Sequence, residues 1–213
     1  NAAILLTERV PDMPTYLVDC PRYYDRPRLY GEGDDAERFA FFCHAVLEYL
    51  RAGDWVPDVI HCNDWQTALI PVLLKTTYAD DPKLYGIATL FTVHNLAYQG
   101  VFDPAVMARV GLEGSLLTPE LLEFYGDVNF LKGGLVFSDV LNTVSLTYSR
   151  EIQTEEYGER LEGVLAARKN DLFGVVNGID YEEWNPATDR YLASHYDAGN
   201  PAGKAACKSD LQE

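Results

Sequence analysis

Apolar positions along the chain follow two periods. From Ala36 to Arg51, Phe39, Phe42, Cys43, Val46, Leu47 and Leu50 fall at spacings of three and four, the stripe of an amphipathic helix, and Gly53 closes it. Shorter, largely apolar runs read as strands: Asp58 to Cys62, Ile87 to Val93, Val140 to Val144 and Asp171 to Val176. Gln66 to Thr76 and Thr147 to Thr154 read as helices, and a long loop with helical stretches fills the interval through Leu135. Two further β-type runs, Ala3 to Thr7 and Thr15 to Asp19, flank a Pro11-Asp12-Met13-Pro14 break, and an irregular aromatic stretch follows from Pro21 to Gly33. Strands alternating with helices and lacking hairpin turns predict an α/β fold with a parallel sheet and right-handed crossovers. The Gly199-Asn200-Pro201-Ala202-Gly203 run reads as a boundary. It gives one domain over residues 3–200, with 201–213 opening a connection to a further domain.

Four of the runs end in polar groups: Asn63-Asp64-Trp65, His94-Asn95, Ser145 and Asn177-Gly178. In an open α/β sheet, residues just past the carboxyl ends of the strands line the ligand crevice. Four polar ends at one edge of a parallel sheet therefore describe a polar cleft suited to a hydroxyl-rich ligand.

Charge and composition narrow the partners. A formal net charge of −16 opposes a nucleic-acid backbone or an anionic membrane as partner. No run approaches the roughly 18 apolar residues of a membrane span. Cys20, Cys43, Cys62 and Cys207 show neither Cys-x-x-Cys spacing nor paired histidines, so they read as thiols of a reducing compartment rather than a metal site or disulfide framework. A cytoplasmic location is the expectation, or a plastid if the source is a plant.

Each constellation has a plain reading beside its functional one. Asn63 or Asp64 is placed to cap the following helix, with Trp65 in the core. Equally, the Asp64 carboxylate at the crevice mouth would accept bonds from sugar hydroxyls, with Trp65 offering an apolar face to the ring. His94 follows an apolar strand beside Asn95, which favours a ligand contact over a core histidine. Asp34-Asp35-Ala36-Glu37 reads as solvated charge favourable to a helix start, and Glu155-Glu156-Tyr157-Gly158-Glu159-Arg160 as solvated charge too. Lys132-Gly133-Gly134 is no phosphate loop, because its glycines follow the lysine inside a helical pattern.

Six segments together resemble the amino-terminal domain of the bacterial glycogen synthase and plant starch synthase family. They are Arg38 to Phe42, Val59 to Trp65, Phe91 to Gly100, Asn129 to Gly134, Tyr148 to Ile152 and Val176 to Asp180, in the family's order and spacing. The resemblance implies a Rossmann-like sheet with helices on both faces, the amino-terminal half of a two-domain GT-B glycosyltransferase. It implies transfer of glucose from ADP-glucose (UDP-glucose in some members) to the non-reducing end of an α-1,4-glucan, with retention and without metal or other cofactor. His94 would contact the donor glucose as the catalytic residue, its carbonyl near the reacting carbon. Tyr30, Asp64, Trp65, Asn95 and Asn177 would bind substrate. The family's Lys-Thr-Gly-Gly loop and its carboxyl-terminal domain, which carries the cations for the diphosphate, have no counterpart in this sequence. The 213 residues alone are therefore expected to be inactive. A non-catalytic glucan-binding module of the same fold is the alternative.

Overall fold

The computed structural model describes residues 2–10 and 13–213. The chain divides into two compact units, Asn1–Val176 and Asn177–Glu213. The division lies just after the last strand of the first unit rather than at Pro201, where composition places it.

The first unit opens with an antiparallel pair, β1 (Ala3–Val10) and β2 (Met13–Asp19), with Ala3 opposite Asp19 and Thr7 opposite Thr15. The two β-type runs that flank the Pro-Asp-Met-Pro break thus pair with each other; within that break, Pro11 and Asp12 lie outside the described residues. One turn of helix, α1 (Pro21–Tyr24), leads into the aromatic loop, and α2 (Asp35–Ala52) follows. Then come β3 (Val59–Asn63), a 3-10 turn (Trp65–Thr67), α3 (Leu69–Lys75) and β4 (Ala88–Val93). The long interval after β4 holds β5 (Val101–Phe102), α4 (Val106–Arg109), β6 (Glu123–Phe124) and β7 (Asp127–Asn129). These strands form a small antiparallel sheet in the order β5-β7-β6. Strands of two or three residues leave no periodic signal, so the sequence shows only loop and helix there. The unit ends with α5 (Phe130–Phe137), β8 (Val140–Thr143), α6 (Tyr148–Glu151), α7 (Glu162–Ala167) and β9 (Leu172–Gly174).

The main sheet is parallel, in the order β3-β4-β8-β9. Register places Cys62, Phe91, Leu141 and Leu172 in one row across it, all buried. Helix α5 lies against this row so closely that a Cβ on Gly134 would come within 2.6 Å of the Phe91 ring. Asn129 caps α5 by accepting from the Lys132 amide at 2.9 Å. Lys132, buried by the packing, donates to the carbonyls of Pro119 and Glu123 at 2.6 Å each. The Asn-Phe-Leu-Lys-Gly-Gly segment is therefore a brace within the core. The thiols of Cys43, on α2, and of Cys62, on β3, are both buried, and burial pushes that of Cys62 up to about 12. Both stay protonated and inert at neutral pH.

Side chains of a strand alternate between faces, so the neighbouring rows point the other way. There Val59 is 52% exposed and Phe173 54%. His61 donates through Nε2 to the Thr92 hydroxyl at 2.6 Å, and Thr92 donates in turn to Asn142. Parallel sheets are ordinarily covered on both faces. Among the described residues α3 and α5 pack on the Phe91 face, and on the other face Thr92 is buried while Val59 and Phe173 are open.

At the amino edge of the sheet, Asp139 joins two strands. Its carboxylate accepts from the Thr89 amide at 2.8 Å and hydroxyl at 2.9 Å, and pairs with Lys75. Arg168 supplies the end of α5, donating to the carbonyls of Leu135 at 2.7 Å and Ser138 at 2.8 Å. The second unit consists of turns and one helix, α8 (Gly203–Gln212), in which the Cys207 thiol bonds the Ser194 carbonyl.

Two expectations follow. Burial alone would raise the Asp139 carboxyl, but Lys75 and Thr89 outweigh it and hold it below its ordinary value of 3.8. A depressed pKa stabilises the fold above the unfolded value and loses that contribution as pH falls through the folded one. Asp139→Asn should cost about 1 kcal/mol at pH 7, after allowance for its partial exposure. In urea melts this difference should shrink steadily below pH 4; a difference constant from pH 7 to pH 3 would be inconsistent with the ion pair. Second, the native protein should bind the dye ANS at the bare sheet face, and Val59→Thr with Phe173→Ser should reduce that fluorescence without broadening the melt.

Candidate functional site

The carboxyl edge of the parallel sheet brings Asp64 and His94 together. Asp64 follows β3 and His94 follows β4, adjacent strands whose last paired residues are Asn63 and Thr92. The Asp64 amide continues the ladder, donating to the Thr92 carbonyl at 2.9 Å. Its carboxylate then spans the gap: Oδ1 accepts from the His94 amide at 2.8 Å and Oδ2 from the His94 Nδ1 at 3.0 Å. An ionised carboxylate only accepts, so Nδ1 carries a proton, and whenever the ring is neutral its Nε2 is an acceptor. Both side chains stay open to ligand, at 32% exposure for Asp64 and 43% for His94.

This arrangement costs backbone strain. Asp64 holds φ 57° and ψ −178°, a conformation nearly reserved for glycine. Its side chain makes no helix-capping bond, so the plain reading of Asp64 as an N-cap is set aside. The His94–Gly100 loop is fixed at each step. Leu96 donates its amide to the Tyr148 hydroxyl, the Asn95 side chain accepts from Ala97, and Gly100 accepts from the Phe130 amide. Asn95 is therefore adjacent to the pair but turns its amide oxygen into its own loop. The Gln99 side chain accepts from Asn129 at 2.6 Å and donates to the Glu159 carbonyl at 3.0 Å.

Beside the pair opens a pocket of about 600 Å³, within the range of small-molecule sites. Trp65 forms one wall. It is only 6% exposed, packed edge-on against Phe39 at 4.9 Å, and so belongs as much to the core as to the pocket. Gly100 is obligatory opposite it, since it holds φ 62° and a Cβ there would lie 2.4 Å from the Trp65 ring. Tyr30 and Tyr98 stand at the mouth with rings 6.4 Å apart and steeply inclined to each other.

Tyr30 is held in place by charge that the sequence pattern assigns to solvent. Asp35 and Arg38 are both buried and paired at 2.6 Å. Arg38 donates to the carbonyls of Tyr23 and Leu29, and Asp35 accepts from the amides of Gly31 and Glu32. The backbone on each side of Tyr30 is thus tied to the first turn of α2. The acidic Asp34–Glu37 run is corrected accordingly: Asp35 is an internal anchor, partnered one helical turn away.

Sequence reasoning also missed Tyr98, Tyr148, Gln99 and the turn at Glu159-Arg160, which contributes to the pocket lining. The first three lie in or against motif segments, and only tertiary placement reveals their work. Asn177, expected at this cleft, opens the second unit three residues beyond the end of β9, and is described with that unit.

Known proteins resemble this chain over nearly its whole length. A family model described as the starch synthase catalytic domain matches residues 3–167. Glycogen synthase from Geotalea daltonii is 53% identical over 207 residues, covering 95% of this chain and 43% of the relative. That from Thermotoga maritima is 54% identical over 202 residues, covering 95% and 42%. The catalytic domain of starch synthase IV from Arabidopsis thaliana, solved bound to ADP and acarbose, superposes with a TM-score of 0.80 at 34% identity, covering 99% of this chain and 44% of that one. The chain thus spans less than half the length of these relatives. Over that span, sequence and fold agree that it belongs to the starch synthase catalytic domain family.

Proposed function

We propose that this chain supplies the amino-terminal half of a retaining glucosyltransferase that moves glucose from ADP-glucose to the non-reducing end of an α-1,4-glucan. The observation that carries the proposal is the Asp64 carboxylate holding His94 by both backbone and ring at the carboxyl edge of the sheet. A ring so fixed offers Nε2 to a sugar hydroxyl with its rotamer entropy already spent, and catalysis rewards such positioning.

The pocket's chemistry supports a neutral glucan on this side. Glu32 and Glu159 line it against one cation, Arg160, the Asp35 carboxylate being paired with Arg38, and aromatic rings border it. Carboxylates and rings suit the hydroxyls and apolar faces of sugars and repel a diphosphate. The charge that develops on a departing diphosphate needs preorganised cations, usually the largest catalytic contribution. We assign that role to the remainder of the longer relatives' architecture, and the reaction needs no metal in this reading. The donor and acceptor sugars would meet at His94, with Tyr30 and Trp65 on the acceptor side. The same reading makes the isolated 213 residues a binding half without turnover, and keeps the protein in the cytoplasm with its soluble donor.

A chimera tests this directly, with the chain replacing the corresponding part of the Thermotoga maritima glycogen synthase. The chimera should transfer labelled glucose from ADP-glucose to glycogen, and the isolated chain should not. In the chimera, His94→Ala and Asp64→Asn should each lower kcat by about 100-fold or more while the melting temperature stays near that of the parent. Near-parental turnover by His94→Ala would remove His94 from the reaction. An active isolated chain would defeat the division of labour between the halves.

A further inference from the structure

Among the described residues, four that are not glycine hold a positive φ: Asp64, Tyr125, Glu159 and Arg160. Asp64 is explained by its hold on His94. Glu159 and Arg160 belong to the lining of the adjoining pocket, and Tyr125 stands against Arg160 and next in sequence to the lining residue Phe124. The Arg160 guanidinium lies over the Tyr125 ring, 5.2 Å from its centroid. Consecutive left-handed residues at φ 49° and 66° form a turn that glycine would make without penalty. The turn persists because it is tied from beneath: Gln99 donates to the Glu159 carbonyl, and the Leu161 amide bonds Gly158 at 2.7 Å. Gln99 belongs to the same loop as His94, so one rigid segment sets both the reacting end and this rim.

Neither Arg160, on this turn, nor Tyr125, between β6 and β7, belongs to the buried core. Tyr125 is 71% exposed and Arg160 is the only cation lining the pocket among the described residues. A planar guanidinium stacked on a tyrosine forms a flat, hydrogen-bond-donating platform. With the guanidinium over one ring face, a pyranose at the edge of the pair meets the exposed rim of the ring with its apolar side and the guanidinium N–H groups with its hydroxyls.

We propose that Tyr125 and Arg160 form an outer subsite, which holds a glucosyl unit of a linear α-1,4-glucan beyond those between Tyr30 and Trp65. It makes the pocket a reader of chain length. This rests on the glucan reading of the site given above and adds a residue-level determinant of acceptor length.

The experiment is calorimetric titration of the 213-residue chain with maltotriose and maltohexaose, for the parent, Arg160→Gly and Tyr125→Ala. The parent should bind maltohexaose at least tenfold more tightly than maltotriose. Each variant should lose most of that ratio while its maltotriose affinity stays within twofold. Arg160→Gly should also melt at a higher temperature, because glycine releases the strained φ, which separates lost binding from lost folding. If both variants keep the parental ratio, the outer subsite is overturned and the glucan reading stands. If the parent binds neither oligosaccharide at millimolar concentration, the glucan reading falls and the subsite with it.

Discussion

One carboxylate closes the structure's working edge. The two hydrogen bonds from His94 to Asp64 join the ends of adjacent parallel strands, and they demand that Asp64 adopt a backbone conformation that its side chain disfavours. Strain of this kind costs of order 1–3 kcal/mol and survives only where the surroundings over-determine it. The surroundings here are the β3–β4 ladder on one side and the pinned His94–Gly100 loop on the other. Loosening either would let Asp64 relax and the imidazole swing free.

The same logic of rigid support recurs outward from that pair. Helix α5 rests on Phe91 through Gly134, and its capping residue Asn129 passes the constraint to Gln99, whose other end fixes the Glu159 carbonyl. On the opposite wall, the buried Asp35–Arg38 pair anchors the loop that carries Tyr30. Buried ion pairs are weak evidence for net stability, since desolvation offsets much of their attraction. What this one supplies is position: it fixes an aromatic loop that has little regular structure of its own.

Much of this was legible in the sequence, for physical reasons. Short apolar-rich runs between turn residues marked the parallel strands, and their polar ends announced Asp64 and His94. The long stripe of α2 was equally plain. What stayed hidden was whatever depends on tertiary approach or on unusual dihedrals. Strands β5, β6 and β7 are too short for a period to show. Asp35 looked solvated because burial of a charge is decided by its partner, although the spacing to Arg38 was a usable hint. Glu159 and Arg160 read as surface charge, and nothing in a residue pattern reveals that both sit at positive φ beside a pocket. Trp65 stands in the core and in the pocket wall at once, so its two readings do not compete.

The central claim is that Asp64 sets the tautomer and orientation of His94. The most direct test is the 15N spectrum of the histidine side chains in the labelled chain, recorded above the ordinary imidazole pKa of about 6.5. The His94 signals among the four histidines are identified by His94→Gln. The account predicts a protonated Nδ1 and a bare Nε2 for His94, and a shift toward the Nε2-protonated form in Asp64→Ala. A parent His94 protonated at Nε2, or a spectrum unchanged by the loss of Asp64, would contradict it.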